Sequence, residues 1–433
     1  MSAWNWPLIL SILVFGLTYL GILMEKVHRT LIALIGAVAM ICVGTWGSFY
    51  SSELAVEAVD YNTVILLFGM MVLVALFKET GFFEYVAIKA ARAAGGRPWL
   101  LFVSLGLATT LISMILDNVT TIILMIPVTL SIADILGVSM IPFLIGEVML
   151  SNIGGVATLV GDPPNILIGT AAGFSFTDFL VHLAPIVLLV WILAQGILLF
   201  FFRRTLFTVP ANAARLREMA PKDALTDPRS TRRLLIVLAV VVVVFFVHDR
   251  IGLESGMVAL LGATVGLLWL WPDIKPVLQE VHWDVLVFFI GLFVIVGGLE
   301  AAGALDIAAN AMGSLTAHGI ALAALVLLWL AGIMSAIVDN VPFTIAMLPV
   351  LAALSAKGIY TAPLWWALAL GVGFGGNATP VGATSNVIAI SVSEKTRSPI
   401  GAKLWLQHGI PIALASCVLA SLLLFVAIEL RFF

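Results

Sequence analysis

The chain has 433 residues, 62% of them hydrophobic and 10% charged, with a formal net charge of −3. Soluble domains carry about 25% charged residues, so this chain has too little polar surface for water, and lipid is the implied solvent. The same numbers exclude a disordered chain, a nucleic-acid binder and a disulfide scaffold. Cys42 and Cys417, near opposite ends, indicate neither a disulfide framework nor a thiolate metal centre.

Apolar stretches long enough to cross the hydrocarbon core are predicted at 6–24, 29–48, 62–78, 141–172, 181–203, 232–248, 254–271, 284–300, 362–393 and 409–431. The first lacks a basic n-region and a cleavage site, so it reads as a span rather than a signal peptide. The stretches 98–136 and 317–354 run to about twice one span. Each carries an Asp-Asn pair at its middle, Asp117-Asn118 and Asp339-Asn340. A helical hairpin that enters the membrane and returns on the same side fits both features, because non-helical backbone at that depth must face protein or water.

The hydrophilic segment from Arg203 to Arg233, with Arg215, Arg217 and Pro210 inside it, reads as a solvated cytoplasmic tether. It divides the chain into a first repeat (1–205), a linker (206–231) and a second repeat (232–433). With the linker inside, eighteen of the 21 Lys and Arg residues are cytoplasmic, Lys26, Arg29 and Arg397 among them. Only Arg250, Lys357 and Arg431 stay outside, together with both termini. This is the expected bias for a plasma (inner) membrane protein.

The halves repeat. Asp117-Asn118-Val119 with Pro127 recurs as Asp339-Asn340-Val341 with Pro349, a shift of 222. Gly154-Gly155-Val156-Ala157-Thr158 through Gly161 recurs as Gly375-Gly376-Asn377-Ala378-Thr379 through Gly382, and Asn165 pairs with Asn386. Upstream, Phe68-Gly69 and Gly81 pair with Ile290-Gly291 and Gly303. Five spans per half make the second copy enter from the opposite face. The predicted fold is an all-α polytopic membrane protein of two inverted-topology repeats: about ten transmembrane helices, two re-entrant helical hairpins and two broken helices. Such repeats are common in secondary transporters, with the substrate site near the midplane.

The hairpin tips carry Asp117, Asn118, Thr120 and Thr121 in the first copy and Asp339, Asn340 and Thr344 in the second. An Asp there can cap the following helix, yet an ionisable group at mid-span is costly and marks an ion or proton path. Asp117 and Asp339 are the expected proton-coupling pair. No Lys or Arg lies inside either hairpin, so neither is expected to have a cationic mate. The glycine-rich breaks add Asn152, Gly155, Thr158, Gly161, Asp162 and Asn165, then Asn377, Thr379, Thr384, Ser385 and Asn386. Such breaks free carbonyls and N–H groups for a small polar solute.

Asp162 faces Ala383 in the repeat, so this third carboxylate is particular to the first half; it could cap the half-helix that Pro163 opens or serve the site. Glu147 could line the cavity, whereas Glu300 lies at a span end. The six histidines, His28, His182, His248, His282, His318 and His408, read as interfacial. Gly371 to Gly376 spells GxGxxG without a βαβ context, and no HExxH, GxSxG or Walker A pattern is present. No enzyme chemistry, cofactor or metal is indicated, so energy must come from a gradient or a separate soluble ATPase subunit.

At Asp117-Asn118-Val119-Thr120-Thr121 and Gly161-Asp162-Pro163-Pro164-Asn165 the chain resembles the ion-transporter superfamily. It is most similar to the branch holding arsenite permeases, NhaD-type sodium/proton antiporters and the melanosomal P protein. The resemblance covers nearly the whole chain and implies the same inverted-repeat fold. Dicarboxylate members carry Ser-Asn-Thr at the hairpin tips, where this chain has Asp117 and Asp339. The resemblance implies export of arsenite or antimonite, as neutral trihydroxides, in exchange for protons. Sodium/proton antiport is the alternative, and transport of an organic or inorganic anion a more distant one.

Overall fold

The computed structural model describes residues 6–24, 26–208, 221–396 and 398–433; Pro210, Arg215, Arg217 and Arg397 lie outside them. Among the described residues, eighteen helices of ten or more residues carry the fold. In the first repeat these are α1 (Trp6–Met24), α2 (Arg29–Trp46), α3 (Tyr61–Lys78), α4 (Phe82–Ala93), α5 (Pro98–Ser113), α6 (Asn118–Leu136), α7 (Ile141–Gly155), α8 (Pro163–Ala172) and α9 (Ala184–Phe201). The second repeat has α10 (Pro228–Phe245), α11 (Ser255–Leu270), α12 (Trp283–Ala301), α13 (Ala304–Thr316), α14 (Ile320–Ile337), α15 (Asn340–Ala356), α16 (Ala362–Gly375), α17 (Thr384–Glu394) and α18 (Ala402–Glu429). Each helix of the first set has its counterpart nine places later.

Among the described residues, eight helices are long and apolar enough to cross a membrane. Six of them join the two broken spans, the 16-residue α11 and the arginine-led α10 to make ten spans. The other two, α6 and α14, are hairpin arms. The repeats exchange partners: α2 packs along α12 and α3 along α11, while α8 packs on α15 and α17 on α6. Hairpins and breaks of opposite repeats therefore interdigitate at the centre.

Local chemistry explains the interruptions. Asp117, extended at φ −67° and ψ 155°, ends the turn after α5 and begins α6. α7 stops at Gly155, and Pro163-Pro164 reopens the helix where missing N–H groups cost nothing. A Cβ on Gly155 would stand 2.6 Å from the Gly161 carbonyl oxygen, and one on Gly376 would stand 2.8 Å from that of Gly382. Only glycine permits these two chain crossings.

The described part of the linker is not a free tether. Residues 221–224 pack on α4, the Thr226 N–H donates to the Thr80 carbonyl (3.1 Å), and the Thr226 hydroxyl donates to that of Glu79 (2.6 Å). Lys78 pairs with Glu280 at 2.5 Å. These contacts gather the loops after α3 and before α12 at the linker end of the molecule. At the opposite end, the His182 ring packs against Phe432 and Phe433.

Candidate transport site

A cavity of about 40 Å³ lies where the two hairpin tips meet. It is lined by Asp117, Asn118 and Val119 of the first tip and Asp339, Asn340 and Val341 of the second. Asp162 and Thr384 enter from the two breaks, Arg29 from the start of α2, and His282 from the turn before α12. A wider vestibule of about 600 Å³ opens beside it and shares Arg29, His282, Asp339 and Thr384 with it.

Asp162 joins the tips. Its carboxylate accepts Nδ2–H bonds from Asn118 (3.4 Å) and from Asn340 (3.2 Å). Although it stands at the N-cap of α8, its side chain accepts no bond there, so the capping alternative fails. Asp117 does cap: it accepts the Thr120 N–H at 2.8 Å and the Thr120 hydroxyl at 2.5 Å. Asp339 accepts a Val341 N–H (3.4 Å), the Thr384 hydroxyl (2.7 Å) and Arg29 Nη1 (2.7 Å). Arg29 also donates to Thr384 (2.5 Å) and lies 5.1 Å over the Phe288 ring. The expectation of carboxylates without a cation therefore fails for Asp339. Its mate comes from another helix, 310 residues away in sequence.

Behind the cavity the amides form a buried network. Asn118 donates to Asn152 (3.2 Å), Asn152 to Asn377 (2.9 Å) and Asn386 (3.0 Å), and the Ser385 hydroxyl to Asn152 (2.7 Å). Asn377 donates to the Met149 carbonyl (3.2 Å), so this network ties the two breaks together.

Several other expected site residues hold the architecture instead. Asn165 donates to the carbonyls of Gly155, Val156 and Thr158, and Asn386 to those of Gly376 and Thr379, so each spends its N–H groups closing its own break. Thr158 donates to Met114 O and Thr379 to Ala336 O, stapling each break to its hairpin. Thr344 bonds back to the Asn340 carbonyl (2.8 Å). Thr121 is buried without a hydroxyl partner and does not reach the cavity. Gly155 and Gly161 serve the chain crossing.

Glu147 is not a cavity residue. It lies buried between α6 and α7, where it accepts the Thr129 hydroxyl at 2.7 Å. Glu300 is exposed. Two histidines depart from the interfacial reading: His248 is buried with Nδ1 2.9 Å from the Leu253 carbonyl, and His282 lines the cavity. Arg29, the first residue of α2, and His282, in the turn before α12, are not legible in the sequence because each borders a short polar loop, where charge normally means only solvent. Nothing local distinguishes them.

Residues 19–371 match the citrate transporter family. The chain belongs to that family. It is 38% identical over 431 residues to an uncharacterised transporter of Mycobacterium tuberculosis, covering 98% of this chain and 99% of that one. It is 37% identical to a 46 kDa membrane protein of Mycobacterium leprae, covering 96% and 98%. The human P protein matches at 32% identity over 94% of this chain, which spans 58% of that protein's length. Among solved structures, the YdaH transporter of Alcanivorax borkumensis superposes with a TM-score of 0.61 at 15% identity, covering 99% of each chain, a likeness of fold. The chain is thus a membrane transporter of the citrate transporter family.

Proposed function

We propose that this transporter moves a small carboxylate such as citrate through the cavity between the hairpin tips, together with protons. One observation carries the reading: Arg29, the cation of the cavity, is shared between Asp339 and Thr384. A guanidinium suits a carboxylate, and a proton on Asp339 frees Arg29 to receive one. Asp117, Asp162 and Asp339 against one arginine leave two excess negative charges when all are ionised. An anion therefore enters only with neutralising cations, and these three carboxyls are where protons can bind. Asn118, Asn340 and Thr384 supply the remaining hydrogen bonds. The description of the family supports citrate.

Export of arsenite or antimonite in exchange for protons is the second reading. It is favoured by the negative lining and the amide donors, which suit a neutral trihydroxide. Charge asymmetry supports an inner-membrane location with the linker inside.

The two readings separate in everted vesicles given radiolabelled citrate or arsenite under an imposed pH gradient, with and without sodium. Proton co-transport predicts citrate moving in the same direction as protons. Arsenite moving against them selects the second reading, and sodium-dependent proton flux with neither solute selects an antiporter.

A further inference from the structure

Beyond the central cavity, which touches both, Asp117 and Asp339 are approached by different pockets. The 600 Å³ vestibule touches Asp339 but not Asp117. A second pocket of about 40 Å³ approaches from Lys78 and Glu280 at the linker end and touches Thr120 but not Asp339. The Thr120 hydroxyl donates to Asp117 (2.5 Å), so this pocket leads to the first tip alone. His282 is common to the second pocket, the central cavity and the vestibule. Among the described residues its imidazole makes no hydrogen bond, which leaves both ring nitrogens for water.

We propose that His282 relays protons between the linker end and Asp117. This rests on the proton-coupled reading above. Imidazole binds a proton on one nitrogen and releases one from the other. A proton taken from water beside Glu280 protonates the ring. The ring gives one up to water in the second pocket, and the Thr120 hydroxyl accepts a proton as it passes its own to Asp117 Oδ2. Histidine ends neutral, and one proton has moved. The charged groups around the ring are Lys78 and Glu280 in the second pocket. In the cavity they are Arg29, Asp117, Asp162 and Asp339, and in the vestibule Lys26, His28 and Asp284 also face it.

The test uses the full-length protein in liposomes and whichever of radiolabelled citrate or arsenite the wild type accumulates. His282→Gln should lower pH-driven accumulation at least tenfold and flatten its pH profile. Solute counterflow at equal pH, which needs no net proton movement, should fall severalfold less than driven uptake does. Glu280→Gln should slow driven uptake less, and His318→Gln, on an exposed residue at the opposite end, should change nothing. An unchanged pH profile in His282→Gln overturns the relay, as does equal loss of counterflow and driven uptake, which marks a structural role. A wild type indifferent to the pH gradient removes the coupling reading itself and the relay with it.

Discussion

The two hairpin tips have the same Asp-Asn-Val sequence and opposite dependencies. At the first tip Asp117 is satisfied within its own turn, by the backbone and hydroxyl of Thr120. At the second, Asp339 and its neighbours are held from outside: Arg29 of α2 bonds Asp339 and Thr384, and the Tyr19 hydroxyl of α1 donates to the Pro342 carbonyl. At the repeat shift, Tyr19 and Arg29 correspond to Val241 and Ile251, so the first tip receives no such ties. A symmetric frame thus carries one self-contained acid and one cross-linked acid, and the two acids can serve different steps of one cycle.

The largest test of that difference is Arg29→Ala. It leaves Asp339 without its cation; breaking a buried pair costs about 3–5 kcal/mol, and partial exposure of this one brings the expected loss nearer about 2 kcal/mol. Transport should be abolished, and Arg29→Lys should not restore it, because lysine lacks the planar fork. Removing both charges with Asp339→Asn should recover thermal stability without recovering transport. Wild-type melting and uptake in Arg29→Ala would show the two tips to be equivalent.

Asp162→Ala removes the acceptor shared by Asn118 and Asn340 and should cost roughly 2 kcal/mol. Cysteines at Val119 and Val341 should then cross-link more slowly than in the parent, because the tips lose their common partner. A faster or equal rate would mean that the tips hold together without it.

The symmetric parts provide the control. Gly155→Ala and Gly376→Ala should each destabilise by about 1–3 kcal/mol, since both drive a methyl group onto a carbonyl oxygen. Differential scanning fluorimetry should find them similar. One silent and one severe variant would break the symmetry of the frame itself.

The smallest effects calibrate the acids. Asp227 caps α10 much as Asp117 caps α6, accepting the N–H and hydroxyl of Ser230 three residues on, but it stands exposed. Ser230 holds its carboxyl below the usual carboxylate range. Its contribution is therefore present above about pH 4, the ordinary carboxylate value, and is lost as pH falls through the lower folded value. Asp227→Asn should cost no more than about 1 kcal/mol and leave transport unchanged. A loss of transport in Asp117→Asn beyond that baseline measures what the first acid does besides capping. Tyr19→Phe should cost about 1 kcal/mol through the lost Pro342 bond.

The sequence by itself determined the spans, both hairpins, both breaks and the repeat, because each is written in local signals. These are runs of apolar residues, an Asp-Asn pair at mid-run, a Pro-Pro after glycines, and a constant shift of about 222. It also supplied the acids and amides that meet at the centre. What it could not separate was Asn165 and Asn386, which close their breaks, from Asn118 and Asn340, which face the cavity, since all four are amides beside helix ends. Only the tertiary structure decided that Arg29 belongs to Asp339 and that His282 borders three cavities. Those contacts cross from one repeat to the other over hundreds of residues, through helices that exchange partners. Pairing of that kind leaves no periodic trace in either segment.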